Sequence, residues 1–381
     1  MSSLIVLTHE FYPVRGGIAV FIEELVRALH DQARSVEVWC PDHKKLKEKS
    51  FPFRVVGMPV PVGQGARSQK QLASFLKSHL NRWQGHRMLL PEPGPLRVFM
   101  EADRWGLPLP EAFDVILHGS EIYRFTRSKH WRPLFHSLLK RAASIVCVSS
   151  FGRERLLEHF SDLSHKTRVI NPGLRSDLSR QEEVSPKGSK KLRVLSVARI
   201  VPAKGQHAMI KAIARINQEL RQNVEYRLVG PVGFAPYGWY LKILARIYDV
   251  ALVWRGALDG DALAREYEEA DVFALTSLPL FGRAEAFGLV YLEAGFFGLP
   301  CVGHKIGGVC DAVVDGQTGY LCDVANPQEL TDRLVDLLEN KALREQMGEC
   351  ARQRVELFTW KNFASKLYSE EADPLLQKRE A

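Results

Sequence analysis

The stretch Leu192-Arg-Val-Leu-Ser-Val-Ala-Arg-Ile-Val-Pro-Ala-Lys-Gly-Gln-His-Ala-Met-Ile-Lys-Ala-Ile-Ala-Arg215 decides the fold of this 381-residue chain. Residues 192–198 are an apolar run too short for a helix, and residues 207–220 read as a helix. The loop between them carries Arg199 and Lys204. A strand that feeds a helix in this way is half of a βαβ unit, and the pattern continues outward from it. Downstream, strands at 224–229, 251–255, 272–276 and 300–302 alternate with helices at 239–248, 261–270 and 287–297. Helices at 327–338, 342–357 and 360–370 close the chain.

The same alternation precedes it. Strands are expected at 4–8, 35–40, 53–60, 113–118 and 144–149. One helix begins at Ile18, with Phe21, Ile22, Leu25, Val26 and Leu29 on its apolar face, and others span 69–83 and 132–143. Residues 175–191 are polar, contain Pro186 and Gly188, and lack periodicity, which marks a linker. The expected organisation is therefore α/β: two doubly wound, Rossmann-like domains, residues 1–174 and 192–359, facing each other across a cleft. Ligands of such sheets bind beyond the carboxyl ends of the strands.

Composition bounds the function. With 46% hydrophobic and 25% charged residues, the chain is neither disordered nor dominated by membrane spans. Its start, MSSLIVLTHEFYP, lacks a basic leader region and reads as a buried strand, so a cytoplasmic location is expected. Six scattered cysteines form no C-x-x-C pair and read as small buried hydrophobes. The net charge of +8 is concentrated: residues 43–100 hold eleven Lys and Arg against Glu48 and Glu92. That segment, with Phe75 and Trp83 on the 69–83 helix, is a candidate anionic membrane surface, peripheral on the inner face, or simply a solvated basic face over a core-facing helix that buries both rings. A nucleic-acid reading is disfavoured because no recognition module accompanies the charge.

The chemistry concentrates in Arg283-Ala-Glu-Ala-Phe-Gly-Leu-Val-Tyr-Leu-Glu293. Glu285 precedes a helix and Glu293 lies in it, ~12 Å further along the axis. The amides of Phe287, Gly288 and Leu289 at the helix start favour an anion. Sugar hydroxyls at Glu285, phosphate at the amides and a ribose at Glu293 would match a nucleotide sugar. Arg199 and Lys204 add a forked and a point cation for phosphate. Asp259-Gly-Asp261 looks like a D-x-D metal motif but reads better as a helix cap, so no metal is expected. His118 ends a central strand, whereas His9, His43, His79, His86 and His130 read as surface residues.

These features, taken in order, resemble the retaining glycosyltransferases of family 4, with the GT-B fold. The resemblance runs from Phe11-Tyr-Pro-Val-Arg-Gly-Gly-Ile18 through His118-Gly-Ser-Glu121, Val169-Ile-Asn-Pro-Gly173, the Arg199/Lys204 loop, Leu228-Val-Gly230, Trp254-Arg-Gly-Ala-Leu258 and Glu285-x7-Glu293 to Asp315-Gly-Gln-Thr-Gly319. It implies a nucleotide-sugar donor on the C-terminal domain and a hydroxyl acceptor, lipid-linked or a cell-envelope glycan, on the N-terminal one. It implies that Gly16 and Gly17 approach the donor phosphate, that His118 contacts the sugar, and that Arg199 and Lys204 stabilise the departing diphosphate. It also implies that Glu285 serves the sugar, Glu293 the ribose, backbone at Leu258 the base, and Gly230 the donor site. No cofactor beyond the donor co-substrate is implied, and the helix after Trp360 would return to the N-terminal domain. The sequence departs from the family at Gly307-Gly-Val-Cys-Asp311, which lacks the usual proline, and at Ser277-Leu-Pro-Leu-Phe-Gly-Arg283, which lengthens the approach to Glu285. The rivals are a GT-B epimerase, an inverting transferase and a catalytically silent scaffold.

Overall fold

The computed structural model describes residues 4–14, 16–46, 48–180, 191–280 and 284–368. The chain forms two compact units, one of residues 1–173 with 359–381, the other of residues 174–358. Of the expected linker 175–191, residues 181–190 lie outside the described residues, as do residues 281–283 and 369–381.

The first unit holds seven strands: β1 Leu4–Leu7, β2 Val36–Pro41, β3 Arg54–Met58, β4 Arg87–Leu90, β5 Ala112–Leu117, β6 Ser144–Cys147 and β7 Thr167–Val169. The second holds β8 Leu192–Val197, β9 Val224–Val229, β10 Leu252–Gly256, β11 Val272–Leu275, β12 Cys301–His304 and β13 Gly319–Cys322. All pairings between these strands are parallel, in the orders β3-β2-β1-β4-β5-β6-β7 and β10-β9-β8-β11-β12-β13. Central strands such as β1, β6 and β11 are buried along their whole length, because helices cover both faces of a parallel sheet. In each sheet the strand order reverses once, between β1 and β4 and between β8 and β11. Loops diverge at such a point and leave a crevice at the carboxyl edge.

Several elements differ from expectation. The 69–83 helix is two helices, Ala66–Ser78 and Leu80–Trp83, broken at His79, whose dihedrals leave the helical region. Trp83 is fully buried and donates to the Leu76 carbonyl at 2.8 Å, so it offers no interfacial ring. Phe75 packs partly buried against the same core. Strand β4 was not expected: four residues opening on Arg87 cannot be told from a helix end by periodicity. The C-terminal helix Trp360–Leu367 packs on helix Gly17–Asp31, with Trp360 and Phe363 meeting Phe21 edge-on at 5.0 and 5.4 Å. Arg168 ties it further through the carbonyls of Lys366 and Leu367.

Candidate active site

At the β8/β11 reversal the two loops are stitched together. After β8 the chain makes a short turn, Pro202–Lys204, and enters helix Gln206–Arg215 through Gly205. Gly205 has φ +64, and a Cβ on it would strike the Thr276 carbonyl, so only glycine lets the loops approach this closely. The Thr276 hydroxyl donates to the Gly205 carbonyl at 2.7 Å, and the Leu278 amide to the Ala203 carbonyl at 2.8 Å.

This stitching brings Lys204 to Glu285. Lys204 Nζ donates to Glu285 Oε2 at 2.6 Å, and the Ser277 hydroxyl donates to the same oxygen at 2.9 Å. Burial pushes the Glu285 carboxyl up, but the charge and hydrogen bond of Lys204, the Ser277 bond and the charge of Arg199 outweigh it and hold the pKa below the usual value. Arg199 itself is exposed and makes no salt bridge among the described residues. Two cations therefore face one carboxylate, leaving net positive charge at the carboxyl edge.

Behind Glu285 the backbone turns against Gly307 and Gly308, and the Gly308 amide donates to the Glu285 carbonyl at 2.9 Å. The following helix is Leu289–Phe296, two residues later than expected, because Gly288 adopts φ +91 and ψ 62. A Cβ on Gly288 would lie 2.6 Å from the Tyr291 ring. The first amides of the helix, from Leu289 on, have no intrahelical partner, whereas Phe287 is buried just before the helix.

Glu293 differs from Glu285. It is only 6% exposed, and its Oε2 accepts from the Tyr267 hydroxyl at 2.7 Å. Burial raises its pKa, with Asp177 adding to the rise, while Arg175 and the Tyr267 bond act in the opposite direction. Gly230 follows β9, donates its amide to the Gly256 carbonyl at 2.7 Å and packs against the Ala198 carbonyl. Leu258 is half-buried just before helix Gly260–Glu269. Asp259 occupies that helix's cap position, but its side chain makes no capping bond, contrary to expectation.

In the first unit, His118 follows β5. Its Nε2 lies 2.9 Å from the Pro91 carbonyl, its ring meets Phe21 edge-on at 4.8 Å, and its amide donates to Glu121. Gly16 and Gly17 are exposed at the start of helix Gly17–Asp31; Gly16 is extended, and a Cβ on either would touch nothing within 4 Å. Among the described residues no contact demands glycine at either position.

Two families match the chain: one described as Glycosyltransferase Family 4 over residues 15–178, the other as Glycosyl transferases group 1 over residues 178–354. The chain belongs to glycosyltransferase family 4. Among curated relatives of this glycosyltransferase is the GDP-mannose-dependent alpha-(1-6)-phosphatidylinositol monomannoside mannosyltransferase of Mycobacterium tuberculosis, 26% identical over 400 residues, covering 96% of this chain and 97% of the relative. Another is the D-inositol 3-phosphate glycosyltransferase of Streptomyces scabiei, 26% identical over 388 residues, covering 92% and 84%. Sucrose-phosphate synthase from Thermosynechococcus elongatus shares the fold, with a TM-score of 0.77 at 18% identity over 96% of this chain and 97% of that one. The glycosyltransferase has the GT-B fold.

Some residues of the glycosyltransferase were not legible in sequence. His304 ends β12 and is buried, with Nδ1 3.0 Å from the Ser277 carbonyl. Its place at a strand end is the signal that singled out His118. Ser277 opens the stretch singled out as the approach to Glu285, though its bond to that carboxylate was not legible, and nothing in the local sequence of Tyr267 marks its bond to Glu293. His9, expected at the surface, is fully buried after β1. Its amide donates to Glu92 Oε1 at 2.9 Å, its ring Nδ1 is 3.3 Å from the same oxygen, and Glu92 also accepts from the Gly94 amide at 2.7 Å. The β1/β4 reversal juxtaposes residues 83 positions apart, which no local pattern reveals.

The basic segment is less uniform than its charge suggests. Lys49 pairs with Glu23 at 2.7 Å, Arg54 with Glu37 at 3.1 Å, and Arg87 with buried Asp114 at 2.6 Å. Lys44, Lys45, Arg67 and Lys70 remain exposed. Lys47 lies outside the described residues. Among the described residues, no helix is long and apolar enough to cross a membrane.

Proposed function

We propose that this glycosyltransferase is a retaining, metal-independent enzyme that moves a sugar from a nucleotide-diphosphate sugar to a hydroxyl acceptor. The observation that carries the reading is the cluster of Arg199, Lys204 and Glu285 at the β8/β11 reversal, beside the start of helix Leu289–Phe296. Departure of a nucleoside diphosphate concentrates negative charge on the leaving oxygens. Arg199 and Lys204, with the helix-start amides, are preorganised to meet that charge, the role a divalent ion plays in other transferases. Glu285, kept ionised by Lys204, accepts from sugar hydroxyls and fixes the ring. Glu293 takes the ribose diol by exchanging its Tyr267 partner. Gly230 and Leu258 border the base, and Gly16 and Gly17, open on their Cβ sides, admit phosphate close to backbone.

In a front-face substitution the bond from the anomeric carbon to the diphosphate oxygen breaks as the acceptor oxygen attacks from the same side, and that leaving oxygen takes the acceptor proton. No enzyme nucleophile is needed; His118 positions sugar and acceptor. The enzyme's contribution is orientation and electrostatics. No cofactor takes part beyond the donor.

The donor to test first is GDP-mannose, named for the Mycobacterium tuberculosis relative, and the acceptor class is a lipid-linked or envelope hydroxyl compound. Lys44, Lys45, Arg67 and Lys70 suit an anionic surface on the inner face of a membrane, consistent with a peripheral cytoplasmic enzyme rather than a nucleic-acid binder. The test is a thermal-shift screen of GDP-, UDP- and ADP-sugars, followed by NMR of the product anomer with and without chelator. Inversion at the anomeric carbon, or activity abolished by chelator and restored by a divalent ion, would overturn the corresponding part of the reading.

A further inference from the structure

Of the nine large apolar side chains that stand exposed among the described residues, seven fall between residues 232 and 248. Most belong to one helix, Ala235–Ile247. One face of that helix already serves the core through Tyr237, Leu241, Leu244 and Ala245. On the opposite face Trp239, Ile243 and Ile247 recur four residues apart and so form a stripe; they are 73%, 59% and 69% exposed. Phe234, at the cap of the helix, is 51% exposed as well. A helix apolar on both faces is not finished by its own domain, and a contiguous exposed apolar patch marks an interaction surface.

The charge beside the stripe identifies what covers it. Lys242 and Arg246 lie three residues beyond Trp239 and Ile243, so they run along one flank, and both are exposed. Neither forms a salt bridge among the described residues, and Lys242 sits 5.2 Å over the Trp254 ring. From residue 226 to 248 the sequence contains no Asp or Glu. A two-fold contact of this face with a second copy would bring the same cations together, which is unfavourable. A bilayer with anionic headgroups answers both features: acyl boundary for the stripe, phosphate for the flank. Tryptophan, with an apolar body and one polar edge, is suited to that boundary.

We propose that helix Ala235–Ile247 is a membrane-docking element of the second unit. Trp239, Ile243 and Ile247 enter the headgroup layer, and Lys242 and Arg246 hold lipid phosphates. The proposal stands apart from the identity of donor and acceptor.

The experiment is co-sedimentation of the full chain with vesicles of phosphatidylcholine alone and of equimolar phosphatidylcholine and phosphatidylglycerol. The wild type is expected to partition onto the mixed vesicles. The double variant Trp239→Glu/Ile243→Glu should bind them at least about tenfold more weakly, with unchanged circular dichroism and thermal midpoint because both residues are exposed. Lys242→Glu/Arg246→Glu should lose the preference for phosphatidylglycerol while keeping donor binding. The proposal is overturned if the wild type does not partition, or if both double variants partition like the wild type, which would assign binding to the exposed lysines of residues 44–70. It is equally overturned if Trp239→Glu/Ile243→Glu abolishes a concentration-dependent dimer in sedimentation velocity without changing vesicle binding.

Discussion

Replacing each of the two loop cations by alanine separates a phosphate contact from a folding contact. Lys204 lies 2.6 Å from Glu285, so at an effective dielectric of about 20 their raw attraction is about 6 kcal/mol. Desolvation of two partly buried ions takes back most of it, leaving ~1.5–3 kcal/mol for a charged hydrogen bond. Lys204→Ala therefore lowers unfolding stability by that amount and frees burial to raise the Glu285 pKa. Arg199 is exposed without such a pair, so Arg199→Ala leaves stability within ~0.5 kcal/mol. Both variants should nevertheless cut kcat/KM by ~10²–10³-fold, the loss typical of one preorganised donor to a developing anion. Calorimetry distinguishes the cause. Nucleoside diphosphate binding should weaken by ~10-fold or more in each variant, while the nucleoside alone binds as it does to the wild type. Equal losses for nucleoside and diphosphate would show that neither cation meets phosphate, and the assignment of the leaving-group site would fall.

Glu293→Ala should weaken nucleoside affinity by ~1.5–3 kcal/mol and orphan the Tyr267 hydroxyl, whereas Glu285→Ala lowers turnover with nucleoside affinity intact; unchanged nucleoside affinity in the Glu293 variant, read by calorimetry, refutes the ribose contact. His118→Ala should lose transfer while diphosphate binding persists, and near-wild-type transfer would remove His118 from the site. In thermal unfolding against pH, burial lowers the His304 pKa from 6.5 despite its bonds to the Ser277 and Thr276 carbonyls, so its contribution is fully present above 6.5 and is lost as pH falls through the folded value. Glu285, also lowered, has the same sign at lower pH, below its ordinary 4.5, so acidification should destabilise in two stages; burial lowers His207 as well, so His304→Asn should reduce the first stage and His304→Asn/His207→Asn should flatten it. Phe363→Ala, removing a 1%-exposed ring packed on Phe21, should cost ~3–5 kcal/mol in the first unit; a loss within ~0.5 kcal/mol, that of a surface substitution, would show that the C-terminal helix is not part of that unit's core.

Local sequence determined the elements and the chemistry that rides on their ends. Apolar runs of four to six residues such as β8 and β11 can only be strands in a chain that alternates them with helices, and the residues at their exits, Arg199, Lys204 and His118, are thereby placed at a carboxyl edge. Neither the close approach at Gly205 nor the left-handed φ of Gly288, which delays the helix to Leu289, was legible in the expected elements. Tertiary structure decided who meets whom. Lys204 and Glu285 are 81 residues apart, His9 and Glu92 83, and Tyr267 and Glu293 26 on different helices. Strand order, not spacing, brings these pairs together. Burial too is a property of the assembled sheet: it hid His9, whose local pattern read as surface, decided for Trp83 between the core and an interface, and left Trp239 in the open. Periodicity reports forces within a few turns of chain; pairing and solvent exclusion are set by contacts between elements that the chain brings together only when each sheet closes.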